Sequence, residues 1–211
     1  MKVFDLTLYF ITDGTGLTDM EFLERVEAAC AAGVTLVQLR EKSLSTAAYL
    51  ERAVQVKAIT DKYQIPLIID DRLDIAMAVD AAGVHVGRDD MPVDKARELL
   101  GTDKIIGATA KTVEQAEAAE RADADYLGVG AIYPTATKVK TQLTSVETLK
   151  AISAAADIPA AAIGGLNAGN MQILEGCPIQ GICVVSAIMK AKDVTGEVGR
   201  LRQEVNRILR K

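Results

Sequence analysis

The sequence predicts an α/β protein of the (β/α)8 TIM-barrel class, with residues 1–211 forming a single domain. Three observations predict it. Eight short apolar runs alternate with helical segments along the chain. The runs are apolar throughout rather than at every second position, the pattern of parallel strands covered on both faces. A short junction recurs at every second unit: Ala31-Ala32-Gly33-Val34, Ala81-Ala82-Gly83-Val84, Ala122-Asp123-Ala124-Asp125 and Ile179-Gln180-Gly181-Ile182 each lead into an even-numbered strand. That echo suits a barrel whose alternate strands fill alternate interior layers. The rival architecture, a doubly wound sheet binding a dinucleotide, needs Gly-x-Gly-x-x-Gly after its first strand. Gly14-Thr15-Gly16 is followed by Asp19 where the third glycine belongs, and Gly128-Val129-Gly130 by Tyr133. The barrel is preferred, towards the small end of its size range.

In order, Leu8 to Thr12 is the first strand, and Asp13-Gly14-Thr15-Gly16 is a loop. Thr18 with Glu21 forms a capping box that opens a helix through Cys30, with Phe22, Val26 and Ala29 at helical spacing. A strand over 33–39 follows, then a helix from Ser45 to Tyr63, a strand at Pro66–Ile69 and a short helix from Leu73 to Val79. Val84-His85-Val86 is the fourth strand, and Pro92 suits the first turn of the helix reaching Leu100. Residues 104–108 and 126–129 are strands five and six, with a helix from Val113 to Arg121 between them. A polar loop spans Gly130 to Thr144, and a helix runs from Ser145 to Ala155. Strands 160–163 and 181–185 flank a short helix starting at Ala168, and an amphipathic helix from Val194 to Leu209 closes the chain.

Composition narrows the function. A net charge of −5 with 4% aromatic residues argues against a nucleic-acid surface, which needs basic patches or stacking platforms. The absence of an apolar run near about 20 residues predicts no membrane span, and the N-terminus lacks a signal-peptide pattern. Cys30, Cys177 and Cys183 have no metal-ligand spacing and read as reduced structural thiols of a cytoplasmic protein.

The barrel reading gathers scattered polar residues onto one rim, because barrel chemistry sits where strands end and helices begin. Gln38, Arg40 and Lys42 follow the second strand, with Arg40 and Lys42 on one extended face. Asp70 and Asp71 follow the third, Asp89 and Asp90 the fourth, and Thr109 the fifth. Thr135, Thr137 and Lys138 lie in the loop after the sixth, Gly164-Gly165 after the seventh and Ser186 after the eighth. The acidic pairs suit a magnesium ion, which takes one or two carboxylates and completes its shell with water and phosphate oxygens. One Asp of each pair is expected to cap or orient, and Asp71 and Asp90 are the expected ligands. Arg40, Lys42 and Lys138 then supply charge for an anion bridged by that metal. The glycines after strand seven and the helix start at Val185-Ser186 suggest a second phosphate site. His85, the single histidine, is expected in the core or behind the site rather than as a base.

These motifs together resemble the thiamine phosphate synthase family over nearly the whole chain. The resemblance rests on Tyr9-Phe10-Ile11-Thr12-Asp13, Gln38-Leu39-Arg40-Glu41-Lys42, Asp70 to Ala76, Gly83-Val84-His85-Val86-Gly87 and Asp90. It continues through Asp125 to Gly128, Ile132 to Lys138, Ile163-Gly164-Gly165 and Val184 to Ile188. It implies condensation of a hydroxymethylpyrimidine diphosphate with a hydroxyethylthiazole phosphate, giving thiamine phosphate and pyrophosphate with Mg2+ as cofactor. The family mechanism loses pyrophosphate first and leaves an amino-stabilised pyrimidine methyl cation for the thiazole nitrogen, so no protein base is needed.

By that resemblance Gln38, Leu39, Arg40, Glu41, Lys42, Asp70, Thr109 and Lys138 bind the pyrimidine diphosphate, with Arg40, Lys42 and Lys138 catalytic. Thr135, Ala136, Thr137, Gly165, Val185 and Ser186 bind the thiazole phosphate, and Asp71 and Asp90 the metal. The partners implied are small molecules, with no nucleic acid and no membrane, and a homo-oligomer stays open. Asp70 stands where the family commonly has Asn, and Thr109 where it has Ser. Arg88 is expected to offset the added charge of Asp70, with activity kept and metal dependence shifted. A thiazole tautomerase of the same superfamily is the nearest alternative, but it carries a histidine where this chain has Lys111. A non-catalytic barrel holding a thiazole phosphate is the other.

Overall fold

The computed structural model describes residues 4–135 and 142–210. Eight strands pair in parallel in chain order: β1 (Leu8–Ile11), β2 (Leu36–Leu39), β3 (Leu67–Asp70), β4 (Gly83–Val86), β5 (Ile105–Ala110), β6 (Tyr126–Gly130), β7 (Ala160–Ile163) and β8 (Gly181–Val184). β8 pairs with β1 and closes the barrel, as expected of the (β/α)8 class. The surrounding helices are α1 (Asp19–Ala32), α2 (Thr46–Lys62), α3 (Leu73–Ala78), α4 (Val93–Leu100), α5 (Val113–Arg121), α6 (Val146–Ala155), α7 (Ser186–Met189) and α8 (Val194–Leu209). Among the described residues, no helix is long and apolar enough to cross a membrane.

Local chemistry explains the boundaries. The Thr18/Glu21 capping box opens α1. β2 starts later than the strand expected over 33–39, because Gly33 terminates α1 in a left-handed conformation (φ 99°) and donates to the carbonyls of Ala29 and Cys30. The helix expected from Ala168 is only a 3-10 turn, Met171–Leu174. Asn167 and Asn170 there bond backbone groups of Asn167, Gly169 and Gly165, offering the chain an alternative to helical bonds. The Asp pairs do not cap their helices: the caps of α3 and α4 are Arg72 and Pro92, neither with a side-chain capping bond.

Strand periodicity divides the apolar residues into two cores. Leu8, Phe10, Val37, Ile69, Leu127 and Ile182 face outwards and pack under the helices. Tyr9, Ile11, Leu36, Ile68, Ile105, Tyr126 and Cys183 form a smaller cluster inside the barrel. Gly107 makes room for the Tyr126 ring, since a Cβ there would lie 2.1 Å from it. Two residues beyond Leu36 and Ile68, the same inward phase delivers Gln38 and Asp70 to the carboxyl ends of the strands.

Candidate active site

A cavity of about 570 Å³ opens at that end of the barrel. Its wall contains Gln38, Arg40 and Lys42 from the end of β2, Asp70 and Asp71 from β3, Asp90 from the loop after β4, Thr109 from β5, Thr135 from the loop after β6, and Val185. Leu39, Glu41, Gly165 and Ser186 are not in the wall. Leu39 is fully buried in the outer core. Glu41 accepts from Arg52 Nη1 at 2.6 Å, and that guanidinium also pairs with Asp19 and lies over the Phe22 ring. Glu41 therefore anchors the β2 loop to α1 and α2. Ser186 is exposed at the start of the four-residue α7. Ala136, Thr137 and Lys138 lie outside the described residues.

The charges at the rim are tightly coupled. Lys42 Nζ lies 2.7 Å from Asp70 Oδ2 and also pairs with Asp71, while Arg40 Nε approaches Asp70 Oδ2 at 3.8 Å. The Lys42–Asp70 approach lacks hydrogen-bond directionality, so Asp70 Oδ2 is buried as an ion-pair partner without a hydrogen bond. Burial pushes the Asp70 carboxyl above its ordinary range, with Lys42 and Arg40 offsetting only part of that effect. Burial disfavours the Lys42 ammonium, but Asp70 and Asp71 outweigh it and hold its pKa up. Arg88, expected to offset Asp70, pairs instead with Asp89 at 3.3 Å on the exposed part of the cavity wall. Lys42 reaches Asp70 directly from the neighbouring strand, and that shorter route takes the role.

Asp71 has a left-handed backbone (φ 59°), which turns the chain sharply after β3. It shares the cavity wall with Asp90, whose Oδ2 accepts from Gly87 N at 2.8 Å. Burial and the facing Asp71 push the Asp90 carboxyl upwards, against the lowering effect of the Gly87 N–H. Two opposed carboxylates are the arrangement a divalent cation relieves. Among the described residues no group of three or more His, Cys, Asp and Glu side chains is placed to hold a metal. Asp71 and Asp90 would suit only a site whose other ligands come from water and phosphate, the habit of magnesium.

Beneath the rim lies a set of polar contacts absent from the sequence reading. Gln38 Nε2 donates to Tyr9 Oη at 2.7 Å, and Tyr9 Oη lies 2.7 Å from Tyr126 Oη. Tyr126 Oη is 3.1 Å from His85 Nδ1, and His85 Nε2 is 3.0 Å from Thr109 Oγ1. His85 thus stands behind Thr109, as its strand position implied, while its edge reaches the cavity. Lys111 also enters the wall, its ammonium donating to the carbonyls of Gly130 (2.8 Å) and Gln142 (3.1 Å). The inward phase of β1 and β6, fixed by their neighbours, was the signal that could have revealed the two tyrosines.

Comparison with known proteins agrees with this geometry. A family model described as thiamine monophosphate synthase matches residues 8–188. The chain is 51% identical over 209 residues to the thiamine-phosphate synthase of Lacticaseibacillus paracasei, covering 99% of this chain and 98% of that protein. It is 52% identical over 204 residues to that of Enterococcus faecalis, covering 97% and 96%. The solved thiamine phosphate pyrophosphorylase from Pyrococcus furiosus superposes with a TM-score of 0.88 at 37% identity, covering 97% of both chains. With fold and sequence in agreement, the chain belongs to the thiamine monophosphate synthase family.

Proposed function

We propose that the chain carries out its family's thiamine-phosphate synthesis as a magnesium-dependent, dissociative condensation of a hydroxymethylpyrimidine diphosphate with a hydroxyethylthiazole phosphate. The synthase activity itself follows from the family and its close relatives. The observation that carries the rest is the single cavity wall that holds Asp71 and Asp90 together with Lys42, which pairs with Asp71, and Arg40. Magnesium held by Asp71 and Asp90 would supply positive charge to the diphosphate oxygens.

Arg40 and Lys42 stand where the leaving diphosphate gathers negative charge, and fixed cations at that point act electrostatically on the transition state. The family pattern adds Lys138 to them. The bond between the pyrimidine methylene carbon and the diphosphate oxygen breaks, with both electrons leaving on oxygen as pyrophosphate. The pyrimidine amino group donates density to the resulting cation. The thiazole nitrogen then supplies its lone pair to the methylene carbon, and the product nitrogen carries the positive charge. No proton leaves a reacting atom, so a rim without a histidine base suffices. Thr135 and Val185 are the described wall residues on the thiazole-phosphate side, with Ala136, Thr137, Gly165 and Ser186 adjoining them in the family pattern. We further place the chain in the cytoplasm, where its free cysteines stay reduced; burial raises the Cys30 thiol to about 12.

Arg40→Ala separates the two halves of the site. Turnover should fall about a hundredfold or more, the size of losing one preorganised charge contact, while thiazole phosphate binding measured by calorimetry stays unchanged. Loss of both together would contradict this division of labour.

A further inference from the structure

We propose that Tyr9, Tyr126 and His85 form a one-way hydrogen-bond relay from Gln38 that places the imidazole proton on Nε2 and leaves the Thr109 hydroxyl a donor towards the cavity. The inference rests on the pyrimidine diphosphate reading of this wall and adds positioning residues beneath it. A phenol has one proton and an amide N–H can only donate, so the first bond fixes the direction of all that follow. Tyr9 Oη accepts from Gln38 Nε2 at 2.7 Å and spends its proton on Tyr126 Oη, also at 2.7 Å. Tyr126 then gives its proton to His85 Nδ1 at 3.1 Å. A neutral imidazole that accepts at Nδ1 carries its proton on Nε2, which faces Thr109 Oγ1 at 3.0 Å. Thr109 accepts that bond, and its own proton turns to the cavity.

The surroundings favour a fixed relay. Tyr9 and Tyr126 are 1% and 0% exposed, and burial raises both phenols well above their ordinary range, so each keeps its proton. Their rings pack edge-on at 5.8 Å, and Gly107 leaves the space that Tyr126 occupies. Unmade bonds in such a buried chain are costly, which holds its polarity. Thr109 therefore meets the substrate as a donor, and the atom it selects is an acceptor, a ring nitrogen or a diphosphate oxygen.

His85 is the single histidine, so nitrogen NMR of histidine-labelled protein reports one imidazole. The ligand-free chain at about pH 8.5, two units above the usual histidine pKa, should show the Nε2–H tautomer. Gln38→Glu replaces the amide donor with a carboxylate that only accepts, so every bond should reverse and the proton should move to Nδ1. Tyr126→Phe should abolish that response, giving the same tautomer mixture with or without Gln38→Glu. A wild-type Nδ1–H tautomer, or an imidazole indifferent to Gln38→Glu, overturns the relay. If Gln38→Glu fails to fold, the wild-type spectrum still decides. Absence of thiamine phosphate formation would sink the synthase reading and leave these spectra unchanged, so the two failures are distinguishable.

Discussion

At Asp70 burial and neighbouring charge act in opposite directions. The residue is 7% exposed, and its carboxyl pKa is raised by burial and incompletely offset by Lys42 and Arg40. A carboxyl whose folded pKa exceeds its unfolded value favours folding fully below the unfolded value and loses that contribution as pH rises through the folded one. Asp70→Asn should therefore stabilise the ligand-free chain at neutral pH, and the gain should shrink to nothing below about pH 4, the unfolded range. Thermal unfolding across that window checks it; a gain that grows towards acid pH would contradict the burial argument. The same substitution should change the magnesium concentration needed for half-maximal turnover severalfold. Unchanged turnover together with unchanged magnesium demand would remove the proposed charge effect. At this scale Arg40, Lys42, Asp71 and Asp90 were legible because charged residues directly after an apolar strand stand out. Tyr9 and Tyr126 were not, because a continuously apolar strand hides which of its two phases faces inwards, whereas the strand position of His85 already placed it behind the site.

At the scale of elements, the eight strands were legible to within a few residues, since apolar runs and the helices between them repeat regularly. Misplaced boundaries have local causes: Gly33 belongs to the end of α1 rather than to β2, and two asparagines hold the segment before β8 in a 3-10 turn. Glu41 read as part of the binding loop because sequence order placed it beside Arg40 and Lys42. Its alternate position turns it towards Arg52 instead. The packing of β5 against β6 carries a sharper expectation. Gly107→Ala would push a methyl into the Tyr126 ring and should cost about 1–3 kcal/mol as overpacking, read as a lower urea midpoint with an unchanged slope. Stability equal to that of the parent would show that Tyr126 does not rest on Gly107.

Across the whole molecule, closure of the barrel brings residues up to 176 positions apart in sequence, from Tyr9 to Val185, into one cavity wall. The sequence showed the strand ends and their polar residues, but not the size of the cavity or which groups pair before any ligand arrives. Those depend on inter-strand register, such as Asp70 opposite His85 and Thr109 opposite Gly128, which no local pattern encodes. This rim is proposed to join two phosphorylated heterocycles through a metal-assisted loss of pyrophosphate. The most direct measurement supplies both substrates to the purified chain and follows thiamine phosphate and pyrophosphate, first with a chelator and then with magnesium added back. Equal amounts of the two products are expected with magnesium and neither with chelator. Undiminished product under chelation would contradict the metal's role, and thiazole phosphate binding with no product in the presence of magnesium would contradict the synthase reading.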